Sequence, residues 1–154
     1  MRVFSSVHQL TALAGADIGI SDWLQITQER IQSFADVTGD QQWIHTDPER
    51  ARHESPWGCT VAHGYLTVAM IPVLNQTIMR ISGLSATVNY GLDKLRFPSA
   101  VPSGTRIRSR LTLREIKEQS PGRYLARYTT TVEIEGSEHP ACVAENLALY
   151  IQAG

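Results

Sequence analysis

Asp40 and His45 place a carboxylate and an imidazole five residues apart, in the segment FADVTGDQQWIHTDPERA (residues 34–51). Trp43 and Ile44 lie between them, so an apolar setting that shifts both pKa values toward neutrality is expected. Two such groups sharing a water can take a proton from it and deliver one to a carbon. A reaction of that kind develops negative charge on an oxygen, which needs hydrogen-bond donors already in place. The segment GCTVAHGYL (residues 58–66) offers them at Gly64, expected at the N-terminus of a helix, where backbone N–H groups are free and the helix dipole favours negative charge. A glycine there also admits close approach to the backbone.

These groups need elements to hold them. Residues 23–26 read as a short strand, after which Thr27 offers an N-cap and Glu29 an acid for the first turn of a helix. Ile31, Phe34, Ala35 and Thr38 share its apolar face, and Gly39 suits the position just past its end. A second helix starts at Pro48 with Thr46 or Asp47 as cap, making residues 40–45 a tight connection. Residues 55–79 contain no Asp, Glu, Lys or Arg, and residues 65–79 are apolar almost all round, the mark of a core helix. Pro72 should kink it, since it lacks the N–H that a helix interior requires.

After Gly83 the pattern changes to period two. Ile107, Ser109, Leu111 and Leu113 alternate with arginines. Tyr124, Ala126, Tyr128, Thr130, Val132 and Ile134 share a face, and residues 141–151 alternate through Val143, Leu147, Leu149 and Ile151. Turns at residues 102–104, 120–122 and 135–137 separate the runs. The expectation is an α+β fold in a single domain over residues 1–154. About four long antiparallel strands, plus one N-terminal strand, would wrap their apolar face around the buried helix.

The chain of 154 residues is 42% hydrophobic and 19% charged with a net charge of −1, which argues against a nucleic-acid or anionic-membrane partner. Its two cysteines, Cys59 and Cys142, are far apart, which argues against a disulfide scaffold and for a reducing compartment. Neither a signal peptide nor a membrane span is expected, so a cytoplasmic location is.

The pattern F-x-x-x-T-G-D-x-Q-x-x-H-x-D-P-x-x-A, followed by A-H-G-Y-L and by NYGLDKLRFP (residues 89–98), resembles the MaoC-like hydratase/dehydratase family. The wording GDQQWIH and VAHGYLT is most similar to its nodulation protein N-like branch. The resemblance implies a hot-dog fold, an antiparallel sheet wrapped around a long central helix, as a homodimer. It implies reversible hydration of trans-2-enoyl-CoA to (R)-3-hydroxyacyl-CoA with no metal or redox cofactor, CoA being part of the substrate. Asp40 and His45 match the catalytic pair that holds the water, and Gly64 the backbone donor to the thioester carbonyl. Many relatives read G-D-x-N-P-[LIV]-H; here Gln42 replaces the Asn, keeping an amide for a supporting, substrate-side role, and Trp43 replaces the Pro. In some relatives a serine stands where this chain has Pro72.

Other residues have plainer readings. His63 reads as a helix-start residue bonding neighbouring backbone, and His8, His53 and His139 as surface residues. Asp40, His45, Asp47, His53 and His63 lack metal-ligand spacing. The arginine-rich strand faces read as solvated, with a subset, or Lys94 or Arg96, open to phosphates of CoA or of an acyl-carrier arm. Cys59 reads as a packing residue. The competing functions are a 3-hydroxyacyl-carrier-protein dehydratase, a hot-dog thioesterase and a non-catalytic acyl-binding subunit.

Overall fold

The computed structural model describes residues 1–153. In chain order the elements are β1 (Arg2–Phe4), α1 (Val7–Thr11), β2 (Asp17–Ile20), β3 (Leu24–Gln25), α2 (Gln28–Thr38), α3 (Trp43–Thr46) and α4 (Pro48–Glu54). They continue with α5 (Gly64–Ala69), α6 (Ile71–Ile78), β4 (Met79–Ile81), β5 (Leu84–Arg96), β6 (Arg106–Ser120), β7 (Arg123–Ile134) and β8 (Cys142–Gln152). The four long strands pair antiparallel in the order β6-β7-β8-β5, with β2 and β3 both on the free side of β6. A separate pair, β1 with β4, runs parallel.

The helix caps follow the local sequence. Thr27 Oγ1 accepts from the Arg30 N–H, and α2 ends on Gly39 at φ 79°, a left-handed conformation that glycine adopts without strain. Asp47 Oδ1 accepts from the Arg50 N–H in front of Pro48, so α4 begins where its N-terminal signals stand. The expected tight connection between these helices contains one further turn, α3.

The core helix is interrupted once. α5 and α6 meet at Met70, whose N–H still reaches Leu66 O, and Pro72 stands at the start of α6, where a missing N–H costs nothing. Leu66, Met70, Ile71 and Leu74 bury against Ile107, Val132, Ile134 and Ala144, which is the sheet wrapped around the helix. A second apolar cluster closes the other end, where Phe4, Val7 and Leu10 of the N-terminal segment join Leu111, Leu113, Tyr124 and Tyr128. The helix is not covered all round: Tyr65, Ala69 and Val73, four residues apart, are exposed.

β6 and β7 bury the alternating faces that the sequence predicts. β8 departs from a single apolar face: Cys142, Ala144, Ala148 and Tyr150 turn toward the helix, while Val143 and Leu147 lie half-buried on the opposite face. Apolar side chains stand on both faces of this strand, and the inward set joins the two core clusters. β5 is an edge strand paired only to β8, with Val88, Tyr90 and Leu92 exposed.

Candidate active site

Asp40 lies just after the left-handed Gly39, in the loop between α2 and α3. Gln41 ties that loop back to α2, its Nε2 donating to Asp36 Oδ1 at 2.8 Å. His45 sits on α3 and is only 7% exposed. It is held from three directions. Its Nδ1–H donates to the Val61 carbonyl at 2.6 Å, its own carbonyl accepts from Gln28 Nε2 at 2.7 Å, and its ring stacks on His63, centroids 3.7 Å apart and planes 25° from parallel. Gln28 is fixed in turn by Thr60, whose Oγ1 donates to its Oε1 at 2.5 Å. The segment carrying Val61 is clamped on both sides, Val61 N–H to Ile44 O and Ala62 N–H to Val101 O.

With Nδ1 spent on a carbonyl, His45 keeps Nε2 as the nitrogen free to accept a proton. Burial pushes the imidazole below its ordinary value; the bond to the Val61 carbonyl opposes this, His63 adds to it and Asp40 opposes it. The ring is therefore held in the neutral form that a base requires. One donor atom from each of Asp40, His45 and His63 lies within 4.8 Å of the others. One nitrogen of each imidazole is already engaged with a backbone carbonyl, so the cluster is organised by hydrogen bonds to the fold.

The expectation of an apolar setting for both groups holds for His45 alone. The Asp40 side chain is 56% exposed, projecting from a surface loop with His63 Nε2 3.9 Å away and His45 on the same inner side. The pair thus has a buried member and a solvent-facing member.

Gly64 begins α5, and its N–H precedes any carbonyl of that helix able to receive it. The space a Cβ would occupy is not open: Phe97 ring atoms lie 3.1 Å from that point. A side chain here would press on the ring, which would have to give by a few tenths of an ångström. Gly64, His45, Ile44, Trp57, Phe97 and Pro98 line a common cavity of about 640 Å³.

Gln42 is exposed, and its backbone carbonyl accepts from the His45 N–H and Thr46 Oγ1; the side-chain amides of Gln41 and Gln28 tie the Asp40 loop and the His45 turn to their surroundings. Trp43 does not line the cavity: its ring lies under the Arg50 guanidinium, 4.3 Å away, and Trp57 takes the position in the cavity wall. Gln28 carried no signal, being one polar residue in a helix's first turn. His63 does bond backbone, as expected, but that of Asp40, 3.0 Å from Nε2.

Groups remote from the site are accounted for locally. Arg106 pairs with Glu135, Arg108 and Arg110 with Glu133, and Arg127 with Asp93 and Glu115, so these arginines are engaged across the sheet. Lys94 pairs with Glu145. Both thiols are free, and burial pushes that of Cys142 up to about 11. On the other side of the helix a second cavity of about 760 Å³ is bordered by Pro72, Asn75, Leu92, Tyr128, Asn146 and Tyr150.

A carboxylate and a neutral imidazole thus stand beside the start of a helix wrapped by an antiparallel sheet, an arrangement with the chemistry for acid–base work. The MaoC like domain family model matches residues 9–135. The chain is 48% identical over 151 residues to 3-hydroxyacyl-thioester dehydratase Z of Mycobacterium tuberculosis, covering 98% of this chain and 99% of the relative. It is 39% identical over 145 residues to Nodulation protein N of Rhizobium meliloti, covering 94% and 90%. Among solved structures, an R-hydratase from Pseudomonas aeruginosa in the unliganded form superposes with a TM-score of 0.69 at 25% identity, over 91% of this chain and 83% of that one. The chain belongs to the MaoC-like dehydratase family, in the branch that includes Nodulation protein N, and has its hot-dog fold.

Proposed function

We propose that the protein is an (R)-specific enoyl-CoA hydratase, adding water reversibly to trans-2-enoyl-CoA to give (R)-3-hydroxyacyl-CoA. The observation that carries this is the free Nε2 of a buried, neutral His45 beside Asp40, at a cavity shared with the start of α5. In the hydration direction a water held between Asp40 and His45 loses a proton to the pair as its oxygen bonds the β-carbon. The pair passes that proton on to the α-carbon as the double bond is lost, and the Gly64 N–H donates to the thioester oxygen while it carries negative charge. Dehydration is the same path reversed, which fits a relative named as a dehydratase. No metal or redox cofactor has a role in this reading, and CoA enters as part of the substrate.

A second copy of the chain is the proposed partner. The exposed edge β5 and the uncovered helix face with Tyr65 and Val73 leave apolar side chains in water that a homodimer would bury. A reducing, cytoplasmic setting fits the two free thiols. Among the described residues no helix is long and apolar enough to cross a membrane.

Crotonyl-CoA tests the function. The expected result is loss of enoyl-thioester absorbance, no free thiol, and a product of R configuration on chiral analysis. Thiol release would identify a thioesterase instead. Turnover confined to carrier-protein thioesters would move the substrate to the acyl carrier, and no turnover with either would leave a binding subunit.

A further inference from the structure

We propose that His63 is a positioning residue for the Asp40–His45 pair, fixing Asp40 through its backbone carbonyl and His45 through the face of its ring. The inference rests on the hydratase reading of this site. His63 stands immediately before α5 and is 3% exposed. Its Nε2–H donates to the Asp40 carbonyl at 3.0 Å, and its ring backs the His45 imidazole at 3.7 Å. Phe34 of α2 meets the same ring, centroids 5.1 Å apart, so its plane is held by neighbours. One side chain thus connects the loop carrying the exposed carboxylate to the turn carrying the buried base and to the helix that begins at Gly64.

A packing role alone does not account for this residue. Its Nδ1 is buried without a hydrogen-bond partner, a cost that an apolar ring of similar shape would avoid. The partners also assign the tautomer: a proton on Nε2 facing a carbonyl, and a bare Nδ1 in the interior. The titratable groups acting on His45 are His63, from the start of α5, and Asp40, from the α2–α3 loop. The His63 ring covers one face of the His45 imidazole, and that burial holds the His45 pKa down, so His63 helps to keep its neighbour neutral.

Two variants separate the two contacts. His63→Phe keeps a flat ring against His45 and removes the donor to Asp40. His63→Gln keeps an amide donor and removes the stacked ring. In His63→Phe, kcat for crotonyl-CoA hydration should fall on the order of 10²-fold, the scale of a displaced reacting group, with KM little changed. In His63→Gln, the acidic limb of the kcat–pH profile should move to higher pH, and so should the His45 midpoint in a 15N-imidazole NMR titration. Wild-type kcat, pH limb and His45 midpoint in folded variants would overturn the proposal. If His63→Phe does not fold, the pH limb and midpoint of His63→Gln decide it alone. Should the wild-type chain fail to hydrate crotonyl-CoA, the hydratase reading falls, while the NMR titration still decides whether His63 controls His45.

Discussion

Two cavities flank the central helix, and their polar groups are treated in opposite ways. Beside α6, the buried polar atoms close on one another: Tyr128 and Tyr150 hydroxyls meet at 2.6 Å, Ser109 Oγ donates to Asn75 Oδ1 at 2.6 Å, and Thr130 Oγ1 to Asn146 Oδ1 at 2.7 Å. Burial raises both phenols, Tyr128 well above its ordinary value and Tyr150 to about 12, so neither is a base at neutral pH. Beside α5, the fold spends one nitrogen of His45 on Val61 and leaves the other uncommitted. The difference separates wall from reaction centre. Satisfied polar groups shape a cavity, whereas an oriented group with one unspent lone pair can act on what enters it.

The comparison is broken most sharply at His45. His45→Ala should lower kcat by about 10²–10⁴-fold, the range for a positioned acid–base group, in steady-state assays with a protein that still folds. Gly64→Ala should follow, because a methyl group there meets the Phe97 ring. A loss of about 1–3 kcal/mol is expected in urea unfolding, with a companion Phe97→Leu recovering part of it. Tyr128→Phe tests the opposite cavity. It leaves the Tyr150 hydroxyl buried without its partner, costing about 1–3 kcal/mol in stability while kcat stays near wild type.

The smallest effect concerns pH and stability. Burial holds the His45 pKa of the folded chain below its ordinary value of 6.5, so well above that pH the ring is neutral in both states and its burial carries no protonation cost. As pH falls below 6.5 the unfolded chain takes the proton first, and stability declines until the pH passes the folded-state pKa. Urea midpoints measured downward from pH 7 should show this decline in wild type and a shallower one in His45→Ala.

What the amino-acid order disclosed depended on whether the deciding contact was local. Thr27, Gly39, Asp47 and Pro48 act within one turn of where they stand, so both helix ends around the site were readable. The alternation of β6 and β7 was equally plain, since each has one polar and one apolar face. β8 was not, because apolar residues stand on both of its faces and alternation alone does not say which face turns inward. In the site, Asp40, His45 and Gly64 were singled out through their motifs, and the structure adds a cavity shared by His45 and Gly64. The parts that escaped are long-range. Gln28 reaches a carbonyl 17 residues away, His63 one 23 residues away, and Trp57, not Trp43, stands in the cavity wall. Exposure of Asp40 escaped for a related reason: nothing near it in the chain covers it.

The most direct test of the central claim is kcat for crotonyl-CoA hydration by Asp40→Asn, a nearly isosteric change that removes the carboxylate charge and keeps the backbone carbonyl held by His63. If Asp40 and His45 share the water, kcat falls by at least about 10²-fold with the fold intact. Turnover near that of wild type would contradict the account.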